Sequence, residues 1–334
     1  MAITGNRPKI PTYLSEEVLT LALAASDPMA LQRLPKADMH CHGLLSAPLS
    51  AFEAVLGYAL PKPPVLFRDF SEFGGYLAVN LFPALRDLPS VHKLLRAGLE
   101  QMAQDGVTYA EVSIDLLLPE HLNITPQAVV QLVSDEKEHI APRLHFAPEI
   151  GINRRIPIER LRDSFEVFLE SDVFESVDLY DDEQMGDLLD MVDFFRRARD
   201  RGLTLKAHAG ELCGPERVRE TLDILEVDAI QHGIAAAMDP RLLDQLARQG
   251  TQLNVALASN ISLGIAAGYE NHPIHRLLAA GINVALGTDD FAVFGSSLSD
   301  EIRRLHRFGM RPFDLAKLRL GPPEGFARST VAAC

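Results

Sequence analysis

The chain has 334 residues, 47% of them hydrophobic, enough to fill a large core and too apolar for intrinsic disorder. Its 32 Lys and Arg against 46 Asp and Glu give a formal net charge of −14, which argues against a general binder of nucleic-acid phosphates but leaves room for an uncharged base or nucleoside. Three cysteines (Cys41, Cys213, Cys334) make no disulfide framework, residues 1–11 hold no leader-like apolar run, and no 18-residue apolar stretch occurs, so a soluble cytoplasmic protein without membrane contact is expected.

A unit recurs along the chain: a short apolar run, a polar tip, then an amphipathic segment ending in Gly. About residues 1–35 are expected to form a helical extension ahead of the first such run. Eight runs are predicted strands: 37–42, 108–115, 145–152, 176–180, 204–208, 229–232, 252–258 and 283–288. Between them, Ser90 is placed to cap a helix with Val91, Leu94, Leu95, Leu99 and Met102 on one face and Gly106 at its end. Leu188, Leu189, Val192 and Phe195 form a second stripe, closed by Gly202. Leu242, Leu243 and Leu246 form a third, closed by Gly250, and Pro273 opens a fourth that runs through Leu277 and Leu278 to Gly281. Eight strands alternating with helices predict the α/β class, a (β/α)8 TIM barrel, as one domain over residues 1–334. In such a barrel the chemistry belongs at the C-terminal ends of the strands.

The unusual polar residues fall at those ends. The first strand closes on Asp38-Met39-His40-Cys41-His42, and strand alternation turns His40 and His42 to one side and Cys41 to the other. The segment 65–85 that follows is rich in aromatic and apolar residues, Phe67, Phe70, Phe73, Tyr76 and Phe82 among them. The fifth strand ends Lys206-Ala207-His208, with Glu211 three residues on; the sixth ends at His232; the eighth is followed by Asp289-Asp290. Singly, each has an ordinary structural explanation, such as a barrel histidine or a solvated turn. Together, at four strand ends, they predict one site. Two adjacent carboxylates need a cation or a donor, and three His with one Asp suit Zn²⁺ or another borderline divalent ion.

The pieces Pro35-Lys36-Ala37-Asp38-Met39-His40-Cys41-His42, His208-Ala209-Gly210-Glu211, His232-Gly233, Ser259-Asn260 and Thr288-Asp289-Asp290 occur in one order over most of the chain. This constellation resembles the adenosine deaminase family of the metal-dependent amidohydrolase superfamily. The resemblance implies that His40, His42, His208 and Asp289 bind one divalent ion, zinc, which activates water. It implies that His232 orients the attacking hydroxide, that Glu211 passes a proton to the ring nitrogen beside the attacked carbon, and that Asp290 bonds another ring nitrogen or aligns the water. Ammonia then leaves. The chain offers Asp178 at the fourth strand end and no Lys, which favours a single ion; Lys206 is expected to be a paired cation inside the barrel. In the family the segment 65–85 would be a helical lid, with Phe70 and Phe73 lining an apolar pocket.

The departures concern the substrate. Leu44 stands where the family's adenosine deaminases carry an acid that contacts the ribose 5′-hydroxyl, and Leu accepts no hydrogen bond. At the fourth strand the pattern Asp-Leu-Ala-Gly-Asp-Glu becomes Asp178-Leu179-Tyr180-Asp181-Asp182-Glu183, so Asp181 replaces a glycine and either brings a carboxylate to the pocket or sends the backbone elsewhere. Asp181, Asp182 and Asp115 are candidates to read an amino-bearing or cationic group; Arg154 and Arg155 are candidates to contact an anionic substrate group, but are expected to pair with barrel acids. The expected reaction is hydrolytic deamination of an adenosine- or adenine-like aminated heterocycle other than plain adenosine. The alternatives are a pterin or guanine deaminase, or an amidohydrolase opening a cyclic amide. The expected partner is that small molecule alone, with the chain a monomer or homo-oligomer.

Overall fold

A computed structural model describes residues 11–324. Eight parallel strands follow one another in sequence order: β1 Lys36–His42, β2 Val107–Asp115, β3 His145–Asn153, β4 Ser176–Tyr180, β5 Thr204–Ala209, β6 Ala229–His232, β7 Gln252–Val255 and β8 Asn283–Leu286. Nearly every strand residue is buried, as expected when helices cover one face and packed side chains the other. The ring closes where the chain after β8 meets β1: Asp289 N–H donates to the His40 carbonyl (2.9 Å) and His42 N–H to the Asp289 carbonyl (3.2 Å). Asp38 reinforces this seam by accepting from Thr288 N–H (3.1 Å) and Oγ1 (2.6 Å). A Cβ on Gly287 would stand 2.5 Å from the His40 carbonyl oxygen, so only glycine lets the two strands approach this closely. The fold is therefore the expected (β/α)8 barrel.

Ahead of β1, the described residues hold helix Glu16–Ala24 and a short turn Leu31–Arg33; residues 1–10 of the expected extension lie outside the described residues. The last helix before β2 is Leu88–Gln104. Asp87, not Ser90, is its cap, because the Asp87 carboxylate accepts from Ser90 N–H and Pro89 suits the first turn. In helix Leu188–Asp200 the buried residues are Leu188, Met191, Phe194, Phe195 and Ala198, while Leu189 and Val192 face outward at 64% and 37% exposure. The 3.6-residue repeat selects the 188/191/195/198 row, and the two further apolar residues shifted the sequence-based stripe off it. The predicted seventh strand also overran. β7 stops at Val255 and Leu257–Ser262 is helical. All of 253–258 is buried, and an unbroken apolar run carries no period that separates strand from helix.

Deep in the barrel, Lys206 of β5 is held by the carboxylates of Glu111 (β2) and Glu149 (β3). Tyr109 Oη donates to Glu111 (3.1 Å) and Ser176 Oγ to Glu149 (2.8 Å). All three charged groups are essentially inaccessible. Burial pushes Glu111 up to about 7, and the two carboxylates hold the Lys206 ammonium above its usual range against its own burial. Removing only the cation leaves two acids facing each other without compensation. Lys206→Met is therefore expected to cost about 3–5 kcal/mol, read by denaturant titration; wild-type stability would overturn this reading of the triad.

Candidate active site

The site sits at the C-terminal end of the barrel because the strands deliver side chains at or just past their ends there. Alternation along β1 places His40 and His42 together; their ring centroids are 5.0 Å apart. β5 brings His208, 4.7 Å from His40 and stacked at 5.3 Å on His42. β6 brings His232, 5.1 Å from both His40 and His208. Asp289 completes the cluster: its Oδ1 lies 3.3 Å from His42 Nε2 and 3.6 Å from His40 Nε2, and its Oδ2 lies 3.9 Å from His232 Nε2. His232 and Asp289 both adopt left-handed backbone, φ 60° and 57°, a conformation His and Asp tolerate better than most residues. Local strain at two site residues is held by the closed seam and the buried surroundings.

The donor set fits a metal ion. Both His40 ring nitrogens are buried with no hydrogen-bond partner, which a packed protein seldom leaves without cause. Ligand atoms on a tetrahedral zinc stand about 3.3 Å apart, given bonds near 2.0–2.1 Å, and the two Nε2–Oδ1 separations, 3.3 and 3.6 Å, lie at and just above that value. The groups His40/His42/Asp289 and His40/His208/His232 each bring their ligand atoms within 4.8 Å of one another. The second layer sets tautomers: His208 Nδ1 donates to the Leu179 carbonyl (3.1 Å), leaving Nε2 as a lone-pair donor. Burial, with neighbouring imidazoles, keeps His40 and His208 neutral, as ligation requires.

Glu211 lies beside this cluster, its Oε2 3.6 Å from His232 Nε2. Burial first, then Asp289, Glu183 and Asp290, holds the Glu211 carboxyl well above the usual range. Asp290 is pushed up to about 8 by burial and by Asp289, and its Oδ1 is buried without a partner. Two carboxyls held above their usual range thus flank the imidazoles, of which His42 is held above its own usual range because Asp290 and Asp289 outweigh its burial. His232 is itself pushed down to about 3, mainly by burial, and its Nδ1 faces the Asn260 side-chain nitrogen at 3.0 Å.

The residues expected at the substrate end are distributed differently. Leu44 opens the turn Leu44–Ser46 after β1 and packs between the main core and a second apolar cluster. That second cluster contains Phe73, which stacks on Phe294 (5.8 Å, 14°) and meets Phe67 edge-on (5.6 Å). Helix Phe70–Tyr76 is thereby docked on Phe291–Phe294, the helix that Asp290 starts. Phe70 touches Phe73 (5.5 Å) and lies under the Arg155 guanidinium (6.0 Å). Asp181 adopts left-handed backbone, φ 79°. Its carboxylate is taken up by Asn153 Nδ2 (2.9 Å) and Arg155 Nε (2.5 Å), and Asp115 accepts from Tyr180 Oη (2.5 Å) and Leu117 N–H (2.6 Å). Arg155 pairs with acids as expected. Arg154 does not: it is buried and donates to the carbonyls of His208 (2.7 Å), Tyr180 (3.3 Å) and Leu179 (3.4 Å), because the strand ends around it offer carbonyls closer than carboxylates.

Three contacts could not be read from the sequence. Asn260 bonds His232; Asp178 Oδ1 lies 3.3 Å from His208 Nδ1; and Glu183 binds the loop that carries Glu211. Glu183 and Asp178 belong to the motif 178–183 and Asn260 to Ser259-Asn260, so a signal was present, but not the contacts.

Residues 65–320 match the adenosine deaminase family. A putative adenosine/adenine deaminase of Treponema pallidum is 30% identical over 268 residues, 80% of this chain and 90% of its own. An adenine deaminase of Agrobacterium fabrum is 30% identical, covering 80% of this chain and 86% of the relative. Among solved structures, an adenine deaminase from Arthrobacter aurescens superimposes with TM-score 0.74 at 23% identity, over 85% of this chain and 91% of that one. An amidohydrolase from Burkholderia ambifaria with bound zinc gives 0.70 at 19% identity, over 93% of this chain and 89% of that one. No helix among the described residues is long and apolar enough to cross a membrane.

Proposed function

Because the chain belongs to the adenosine deaminase family of the amidohydrolases, hydrolases that act on the C–N bond of cyclic amidines, we propose that it removes the exocyclic amino group of adenine, or of an adenosine with an apolar 5′ end, as ammonia. The observation that carries this reading is one cluster of four imidazoles and Asp289, with Glu211, its carboxyl raised by burial, beside it.

His40, His42, His208 and Asp289 would hold one divalent ion, zinc being the best match to their nitrogen and oxygen donors. When bound, it would supply a water activated for attack at neutral pH. The protein's own groups do the rest. The Glu211 carboxyl gives its proton to the ring nitrogen next to the amino-bearing carbon, making that carbon electrophilic. His232 stays neutral. With the Asn260 amide nitrogen donating to Nδ1, its ring proton sits on Nε2, on the side of Glu211 and Asp289, where it orients the water. Asp290, its carboxyl raised by burial and by Asp289, has an unpartnered Oδ1 with which to bond a second ring nitrogen. Water adds, a proton returns to the amino nitrogen, the C–N bond breaks, and ammonia and the oxo-heterocycle are released.

The substrate class follows from the rim. Arg155 is paired with Asp181 and Asp182, and Arg154 is 3% exposed, so neither guanidinium is presented openly to a phosphate. Leu44 offers no acceptor to a 5′-hydroxyl. This favours an uncharged substrate and disfavours plain adenosine. Ammonia release by zinc-loaded protein tests it, over adenine, adenosine, 5′-deoxy- and 5′-thioadenosines, N6-substituted adenines, guanine and pterins. Adenine or a 5′-modified adenosine should exceed adenosine in kcat/KM by about 10-fold or more. Preference for adenosine, guanine or a pterin, or no ammonia from any compound, would overturn the assignment.

A further inference from the structure

We infer that Glu183 is the positioning residue of the loop that presents Glu211, holding three successive backbone amides of that loop on one buried carboxylate. The inference rests on the role given to Glu211 above. Glu183 Oε2 accepts from Gly210 N–H (2.6 Å), and Oε1 from Glu211 N–H (2.7 Å) and Leu212 N–H (2.8 Å). The side chain is 1% exposed. Consecutive amides converging on one anion form a nest, and hydrogen bonds to an ionised acceptor are shorter and stronger than neutral ones.

The loop needs such a hold. Residues 210–213 belong to no helix or strand, and Gly210 has φ 71° where a Cβ would stand 2.5 Å from Val218 Cγ2. Its other backbone tie is Ala235 N–H to the Gly210 carbonyl (2.9 Å). Glu183 is anchored in turn: Arg217 Nη2 donates to its carbonyl (2.6 Å). Three residues on, Gly186 passes so close to Arg154 that a Cβ would lie 2.5 Å from the Arg154 carbonyl oxygen. Arg154 spans the same two strand ends, donating to carbonyls of β4 and β5. The junction thus has a carboxylate reading amides and a guanidinium reading carbonyls, with no direct hydrogen bond between the two side chains. A neutral residue of the same size cannot replace Glu183. Gln offers one acceptor oxygen and turns an NH₂ donor toward N–H groups.

Glu183→Gln and Glu183→Asp test this in the zinc-loaded full chain. Amide exchange in the peptide spanning 209–213 should speed up at least about 10-fold in Glu183→Gln, with zinc per chain unchanged. On the best substrate, kcat should fall about 10²-fold, the scale expected when a reacting group is misplaced by about 1 Å, while KM stays within about threefold. Glu183→Asp restores the charge on a shorter arm and should recover part of kcat. If Glu183→Gln does not fold, the same measurements on Glu183→Asp decide. Unchanged exchange at 209–213 overturns the inference, as does unchanged kcat, or loss of kcat and zinc together. The exchange and zinc measurements need no substrate. A wild-type protein that deaminates nothing would therefore sink the functional reading while leaving the hold on the loop independently decided.

Discussion

Glu211→Gln is expected to keep its metal and lose about 10²–10⁴ of kcat, the usual worth of a positioned acid or base. The substitution preserves shape and hydrogen-bonding reach but cannot deliver a proton. Glu211 is not one of the four proposed ligands, although its carboxylate lies within 4.8 Å of Asp289, and zinc content should stay at the wild-type level. The pH profile gives a second readout. A carboxyl raised by burial and by Asp289, Glu183 and Asp290 serves as an acid below its pKa and stops serving as pH rises through it. A divalent cation on Asp289 counteracts part of that rise. The alkaline limb of kcat/KM in the wild type should therefore be missing from whatever activity the variant retains. Full activity in Glu211→Gln, or an unchanged alkaline limb, would remove Glu211 from proton transfer.

Stripping the ion with a chelator is expected to abolish ammonia release, by more than about 10³-fold, and stoichiometric Zn²⁺ should restore it. It should also lower Tm. A ligand at about 1,000 times its Kd stabilises the fold by about 4 kcal/mol, and each kcal/mol moves Tm by about 2–4 °C in a large domain, so a fall of about 8–16 °C follows. The stripped cluster keeps Asp290 and Glu211 buried beside the Asp289 carboxylate without a cation, and burial with that contact raises both of their carboxyls. Elemental analysis alongside the assay decides: full turnover from protein with less than about 0.1 metal per chain would dismiss the metal from the mechanism.

Local pattern carried much of this structure. β4 and β6 begin and end at the residues the apolar runs marked, 176–180 and 229–232, because Asp, Tyr and His end those runs abruptly. The side chains His40, His42, His208, His232, Asp289 and Glu211 converge as their strand-end positions required. What the pattern could not carry depends on a third element. The true phase of helix Leu188–Asp200 was set by the barrel it leans on, not by its count of leucines. The switch from strand to helix at Leu257 lay inside one buried run. Asp181 reads in sequence as a free acid, yet Asn153 and Arg155 from the neighbouring strand's end occupy it. Glu183 was least visible, since its partners are main-chain amides, which every residue but proline possesses.

The barrel seam and the candidate ion site are built from the same residues. His40 and His42 lie on the first strand of the ring and Asp289 follows the last, nearly 250 residues later, with Gly287 letting the strands meet. During synthesis the first two ligands emerge long before the last, so the complete donor set cannot exist until the eighth strand has docked. Zinc capture would then act as a late checkpoint: a nascent chain or a truncated product ending before Asp289 could carry the early histidines but not the assembled site. The ion would mark finished molecules, and a break in the ring at this point would release it.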